Sequence, residues 1–107
     1  KETINLINRK NFSYMKSGIY LINTSRGGVI NEKDLIRALK NKIVKFTATD
    51  VLYKESVDGV SGNKLVKYAK NNKNILISPH IGGSSHEYME GIFMHAAISL
   101  KRSLIKN

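Results

Sequence analysis

The 107-residue chain contains no cysteine, no tryptophan and a single proline, and only 8 acidic residues stand against 18 Lys and Arg. The lack of cysteine excludes a disulfide scaffold, a thiolate zinc site and a cysteine nucleophile together. It also suits a reducing cytoplasm, the expected location. No apolar run approaches the roughly 20 residues that cross a bilayer, so no membrane partner is expected. The chain opens on Lys1 and carries no signal-like apolar segment. That start leads us to expect a piece of a longer chain.

What is present suits one compact domain. Hydrophobic residues make up 41 % of the chain, enough for a core and against wholesale disorder. The formal net charge of +10 raises the question of nucleic acid or an acidic surface. Lys and Arg are spread along the whole sequence. Their densest run is Lys64, Lys67, Lys70 and Lys73. On a helix this spacing drifts about 60° per step, so the four would spiral across half the circumference. Leu65, Val66 and Ala69 lie between them as an apolar face. We read this as the solvated back of a helix. No Arg-rich groove motif, aromatic pair or metal finger accompanies it, so neither nucleic acid nor a metal is expected.

Three short β-favouring runs, 20–23, 46–49 and 75–77, are bounded by turn residues. Helical patterns separate them. Asn31 is a good N-cap, and Leu35, Ile36 and Leu39 supply an apolar stripe ending near Asn41. A shorter helix is expected after Asn63. A helical turn over 9–15 precedes Gly18, which suits its C-terminal cap. The last and longest helix has Ser84 and Glu87 at capping-box spacing. It carries Met89, Phe93, Ala96 and Leu100 on one stripe, with Met94, Ile98 and Ile105 roughly opposite. A helix apolar on two sides is expected to cross towards something beyond these residues or to pack in an oligomer. One long loop is expected over 52–62, carrying Gly59, Gly62, Glu55 and Asp58. Alternating helices and strands imply a parallel α/β sheet with right-handed crossovers.

In such sheets ligands bind outside the carboxyl ends of the strands. The first strand runs into Asn23-Thr24-Ser25-Arg26-Gly27-Gly28, the second into Asp50 and on to Glu55, the third into Ser78-Pro79-His80-Ile81-Gly82-Gly83. An Arg, two carboxylates and a His therefore share one edge, beside paired glycines. Each alone is weak evidence. Their equivalent topological positions are not.

These segments, in this order and spacing, resemble the C-terminal signature set of the D-isomer-specific 2-hydroxyacid dehydrogenases, among them D-3-phosphoglycerate dehydrogenase. The resemblance covers essentially the whole chain and includes Met15-Lys16-Ser17-Gly18. It implies the second half of a Rossmann-like parallel sheet with flanking helices and a long C-terminal helix. Residues 1–107 would be a partial NAD-binding domain, with about 84–107 returning towards a substrate domain outside the chain. Arg26 would bind the substrate carboxylate. A guanidinium forks onto carboxylate and keeps its charge at working pH. His80 would be the acid/base, since imidazole titrates near that pH. Glu55 would pair with His80 and orient its ring. Thr24, Ser25, Arg26, Asp50, His80, Gly82 and Gly83 would line the cofactor, with Asp50 beside the nicotinamide. Gly82 and Gly83 also suit a plain helix-entry turn, and both readings stay open.

The chain departs from the family in two ways. Ser56 follows Glu55 where the family usually has proline, and no G-x-G occurs among the 8 glycines. The pyrophosphate cradle and the acidic ribose partner beyond it are therefore missing, and NAD and NADP both stay open. The resemblance implies an NAD-dependent oxidoreductase acting on a small 2-hydroxy or 2-oxo acid, homodimeric when whole, with this piece inactive alone. Two other classes stay open: an NAD-sensing corepressor-like protein on the same fold, and, well below it, a basic nucleic-acid-binding module. His86 and His95 lie outside the matched segments and are expected to play no catalytic part.

Overall fold

The computed structural model describes residues 2–55 and 59–105. Its elements run α1 (Arg9–Tyr14), β1 (Ile19–Asn23), a 3₁₀ turn (Gly27–Val29), α2 (Glu32–Lys40), β2 (Val44–Thr49), α3 (Lys64–Ala69), β3 (Ile75–Ile77) and α4 (His86–Ile105). The three strands form one parallel sheet in the order β1-β2-β3. The α/β architecture and all three expected strands are present, each within two residues of its expected start.

Register explains which residues became core. Leu21 pairs with Thr47 and Thr47 with Ile75, while Asn23 pairs with Thr49 and Thr49 with Ile77. These side chains share the face covered by the helices. α2 packs on β2 and α3 on β3. Phe12, Leu35, Ala38, Leu39, Val44, Leu65 and Ile75 make the centre of that layer. Buried Thr47 and Thr49 are satisfied because their hydroxyls donate to the carbonyls of Leu21 and Val51 at 2.9 and 2.7 Å. The alternate residues Tyr20, Ile22 and Leu76 stand on the opposite face and are more than half exposed.

The expected caps at Asn31 and Asn63 are made. Asn31 Oδ1 accepts from Asp34 N, and Asn63 Oδ1 accepts from the N–H groups of Leu65 and Val66. Other expectations need correction. Gly18 does not cap α1, whose C-cap is Met15 in an extended conformation. Gly18 has φ +87° and uses it to turn into β1, where its N–H meets the Ile43 carbonyl. Ser84 does not cap α4 either. Ser85 Oγ accepts the Tyr88 N–H at 3.2 Å, so the cap lies one residue later and Glu87 falls out of capping-box register. α3 ends at Ala69, so Lys73 lies beyond it and the lysine spiral is cut short. On α4, Met89, Phe93, Met94, Ile98 and Leu100 are all exposed. Ser56, Asp58 and the side chain of Ile105 lie outside the described residues. Among the described residues no helix is long and apolar enough to cross a membrane.

Candidate active site

Asn23, Thr49 and Ile77 lie side by side at the carboxyl ends of β1, β2 and β3. Neighbouring strands are about 4.8 Å apart. The three loops that follow therefore share one edge of the sheet.

Asn23 builds the first loop. It is buried, and its Oδ1 accepts from the backbone N–H of Ser25 at 3.1 Å and from the Ser25 hydroxyl at 2.8 Å. Its Nδ2 donates to the Arg26 carbonyl at 3.2 Å. One amide thus folds 24–26 back on the strand end. Thr24, Ser25 and Arg26 are exposed on the outside of that turn. The Arg26 Nη1 donates to the Ser25 carbonyl at 2.7 Å. Among the described residues Arg26 forms no ion pair, which leaves its fork available to an anion. Asn23 was not among the expected site residues, although an Asn two residues before a Ser is the sequence signal of such a turn.

The second and third loops are locked together. Asp50 is 8 % exposed and receives three donors from the third loop. Its Oδ1 accepts from Ser78 Oγ at 2.5 Å and Ile81 N at 3.1 Å, and its Oδ2 accepts from Gly82 N at 2.8 Å. The Ser78 hydroxyl, followed by the Gly82 N–H, holds the Asp50 carboxyl below the ordinary carboxylate range. Ile81 N–H and the His80 charge add to this, against burial, which pushes the other way. A carboxylate has about four acceptor positions, so among the described residues one on Oδ2 stays open for a further donor. Gly82 is needed here because a Cβ would stand 2.9 Å from Asp50 Oδ2. Gly83 instead faces the Tyr88 ring, and both glycines lie in the turn that leads into α4.

Between these clamps sits His80, with φ +56°. A left-handed backbone costs a non-glycine residue about 1–2 kcal/mol. The bonds from Ser78, Ile81 and Gly82 to Asp50 hold it there. His80 Nδ1 is paired with Glu55 Oε1, and Glu55 Oε2 accepts from Leu52 N at 2.9 Å. The carboxylate is therefore anchored on one oxygen and holds the imidazole with the other. The ring is half exposed. With Nδ1 engaged and no partner on Nε2 among the described residues, Nε2 is the nitrogen placed to exchange a proton.

Of the expected residues, Glu55 meets His80, and Asp50 meets Gly82. Arg26 stands on the same edge without bonding to either pair. His86 is elsewhere, 3.5 Å from Glu90 along α4, with both side chains largely exposed.

Comparison with known proteins bears on this arrangement. Residues 1–82 match the family model described as the D-isomer specific 2-hydroxyacid dehydrogenase, NAD binding domain. The chain is 36 % identical over 102 residues to a chloroplastic D-3-phosphoglycerate dehydrogenase of Arabidopsis thaliana, covering 95 % of this chain and 15 % of that protein. It is 38 % identical over 92 residues to a glyoxylate reductase of Thermococcus litoralis, covering 86 % and 26 %. Among solved structures it resembles the NAD-complexed D-isomer specific 2-hydroxyacid dehydrogenase of Lactobacillus delbrueckii ssp. bulgaricus, with a TM-score of 0.66 and 30 % identity over 78 % of this chain and 28 % of that one. The chain thus spans between about a seventh and a quarter of the length of these two relatives. The match runs through all three loops of the sheet edge and across most of the chain, and by it the chain belongs to the NAD-binding domain of the D-isomer specific 2-hydroxyacid dehydrogenases.

Proposed function

We propose that these residues form the second half of the NAD-binding domain of an NAD-dependent dehydrogenase acting on a small D-2-hydroxy acid. The observation that carries this reading is the Glu55–His80 pair at the carboxyl edge of a parallel sheet, with no partner on Nε2 among the described residues. Arg26 takes the substrate carboxylate, because its guanidinium is exposed and has no acidic partner among the described residues. His80 Nε2 accepts the proton of the C2 hydroxyl during oxidation and returns it during reduction. Glu55 keeps the proton on Nδ1 and balances the imidazolium that forms. When bound, NAD supplies the acceptor for the hydride that leaves C2.

The residues at the edge fit that cofactor. The open acceptor position on Asp50 Oδ2 suits the N–H of a carboxamide, and the exposed Thr24–Ser25 turn faces the same edge. Gly82 and Gly83 are exposed and add no side chain of their own to that edge. No pyrophosphate cradle lies within the sequence, so we assign no residue to that group. The exposed apolar residues of α4 suit a helix that returns to a substrate domain. A homodimer acting in the cytoplasm belongs to the same reading and is carried by the family resemblance alone. Residues 1–107 by themselves are expected to be inactive, since substrate and cofactor would not be held together.

The test is made on the whole protein, following NAD reduction against a panel of D-2-hydroxy acids. His80→Ala is expected to lower kcat by about 10²–10⁴-fold, the usual worth of an acid/base, with little change in NAD affinity. Turnover retained within about tenfold would remove the acid/base role.

A further inference from the structure

We infer that Glu32 is a positioning residue that ties Tyr53, just after β2, to Asn63, just before α3, and thereby holds Glu55 against His80. The inference rests on the Glu55–His80 pairing proposed above and extends it to a residue on a different element. Glu32 is the first residue of α2. A carboxylate there is favourable to the helix dipole, and that alone would be an ordinary helix-start role. Its oxygens do something else. Oε1 accepts from the backbone N–H of Tyr53 at 2.9 Å. Both oxygens accept from Asn63 Nδ2, at 2.9 and 3.0 Å. Asn63 in turn caps α3. One side chain from α2 therefore grips the chain just after β2 and again at the start of α3.

The grip matters because the turn that carries Glu55 is strained. Lys54 has φ +55°, a left-handed conformation that favours glycine. Such a residue stays in place only when its neighbours over-determine it. Two hydrogen bonds to carboxylates do that here. Leu52 N donates to Glu55 Oε2 from within the turn, and Tyr53 N donates to Glu32 from outside it. Charge-assisted bonds of this kind are about twice as strong as neutral ones. Without Glu32 the Tyr53 N–H turns to solvent, Lys54 relaxes, and Glu55 loses the direction in which it meets Nδ1.

The readout is the tautomer of His80. Paired with a carboxylate, Nδ1 keeps the proton; unpaired, the ring is free to carry it on Nε2. Long-range ¹H–¹⁵N spectra of the labelled protein at alkaline pH distinguish the two forms. His86 and His95, on α4, serve as internal references. The wild type is expected to show His80 mainly as the Nδ1–H form. Glu55→Ala abolishes that preference. Glu32→Ala removes at least half of it while helical content is unchanged. Glu32→Gln keeps an acceptor for Tyr53 but meets Asn63 with a second donor, and gives an intermediate result. It carries the test alone if Glu32→Ala does not fold. A folded Glu32 variant that is merely less stable, with the wild-type tautomer, overturns the inference while Glu55→Ala still behaves as expected. If Glu55→Ala also leaves the tautomer unchanged, the pairing itself falls, and the role of Glu32 with it.

Discussion

Gly27 is the position where a single methyl group should do the most damage for the least chemistry. A Cβ there would lie 2.0 Å from the Leu52 carbonyl carbon, 2.1 Å from its oxygen and 2.4 Å from Tyr53 N. Ordinary carbon–carbon contact begins at about 3.5 Å, so the two chains would have to part by about 1.5 Å. All three obstructing atoms are backbone, and no rotamer change can relieve them. Overpacking usually costs about 1–3 kcal/mol, and we place Gly27→Ala at or above the top of that range. For a chain of this length about 3 kcal/mol corresponds to a fall in Tm of roughly 12–24 °C. The neighbour supplies the control. A Cβ at Gly28 would meet the Tyr53 ring at 3.4 Å, a side chain that can yield, and Gly28→Ala should stay within about 0.5 kcal/mol of wild type. Urea unfolding of the two variants side by side measures the difference. If Gly27→Ala proves as stable as Gly28→Ala to within about 0.5 kcal/mol, the close approach of the first and second loops is wrong.

Three further outcomes are expected. The Asp50 carboxyl lies below its ordinary value in the folded chain, so the unfolded chain binds more protons and stability rises with pH through that window. The stability gap between wild type and Asp50→Asn should be complete above about pH 4 and narrow as pH falls through the folded value, read from urea midpoints at a series of pH values. Asn63→Ala loses both the α3 cap and the Glu32 partner, whereas Asn31→Ala loses a cap alone at about 1 kcal/mol; equal losses in urea would contradict the double role. Ser85→Ala should reduce the helical circular dichroism of α4 and Ser84→Ala should not, because only the Ser85 hydroxyl accepts from the first turn; the reverse order would restore the capping box at Ser84.

The legible parts were those set by neighbours in the chain. Short β-branched runs between turns gave the strands, and Asn31 and Asn63 announced two helices because an Asn cap acts over two or three residues. The same short range misled at Gly18 and Ser84. Gly18 answers to a left-handed turn into β1 dictated by the Ile43 carbonyl, which no pattern in 9–18 contains. Ser84 and Ser85 present the same hydroxyl, and only the register of the first helical turn separates them. Glu55 and His80 were recognised as a pair through resemblance, not through spacing. The contacts of Glu32 with Tyr53 and of Gly27 with Leu52 had no local signature at all, since each joins segments that only the parallel crossover brings together.

Those unannounced contacts decide which loop governs the site. The loop after β2 touches both others, because β2 is the middle strand. Gly27 rests on the Leu52 backbone, Glu55 takes the Leu52 N–H and holds His80, and Asp50 gathers Ser78, Ile81 and Gly82. Arg26, one residue before Gly27, is placed relative to His80 through this middle loop and not by any direct bond. In the proposed reaction the separation between Arg26 and His80 would have to match one small hydroxy acid, and errors of about 1 Å are costly to reaction. The contacts of Leu52 and Tyr53 with Gly27, Glu55 and Glu32 are what would fix that separation. It follows that Gly27→Ala and Glu32→Ala should fail differently. On the proposed reading the first displaces Arg26 and also strikes Leu52 and Tyr53 N, whose bonds hold Glu55, so it should raise KM and lower kcat together. The second leaves Arg26 in place and disorients His80, so kcat should carry the loss. Both effects falling on KM alone would mean that the middle loop does not set the geometry of the site.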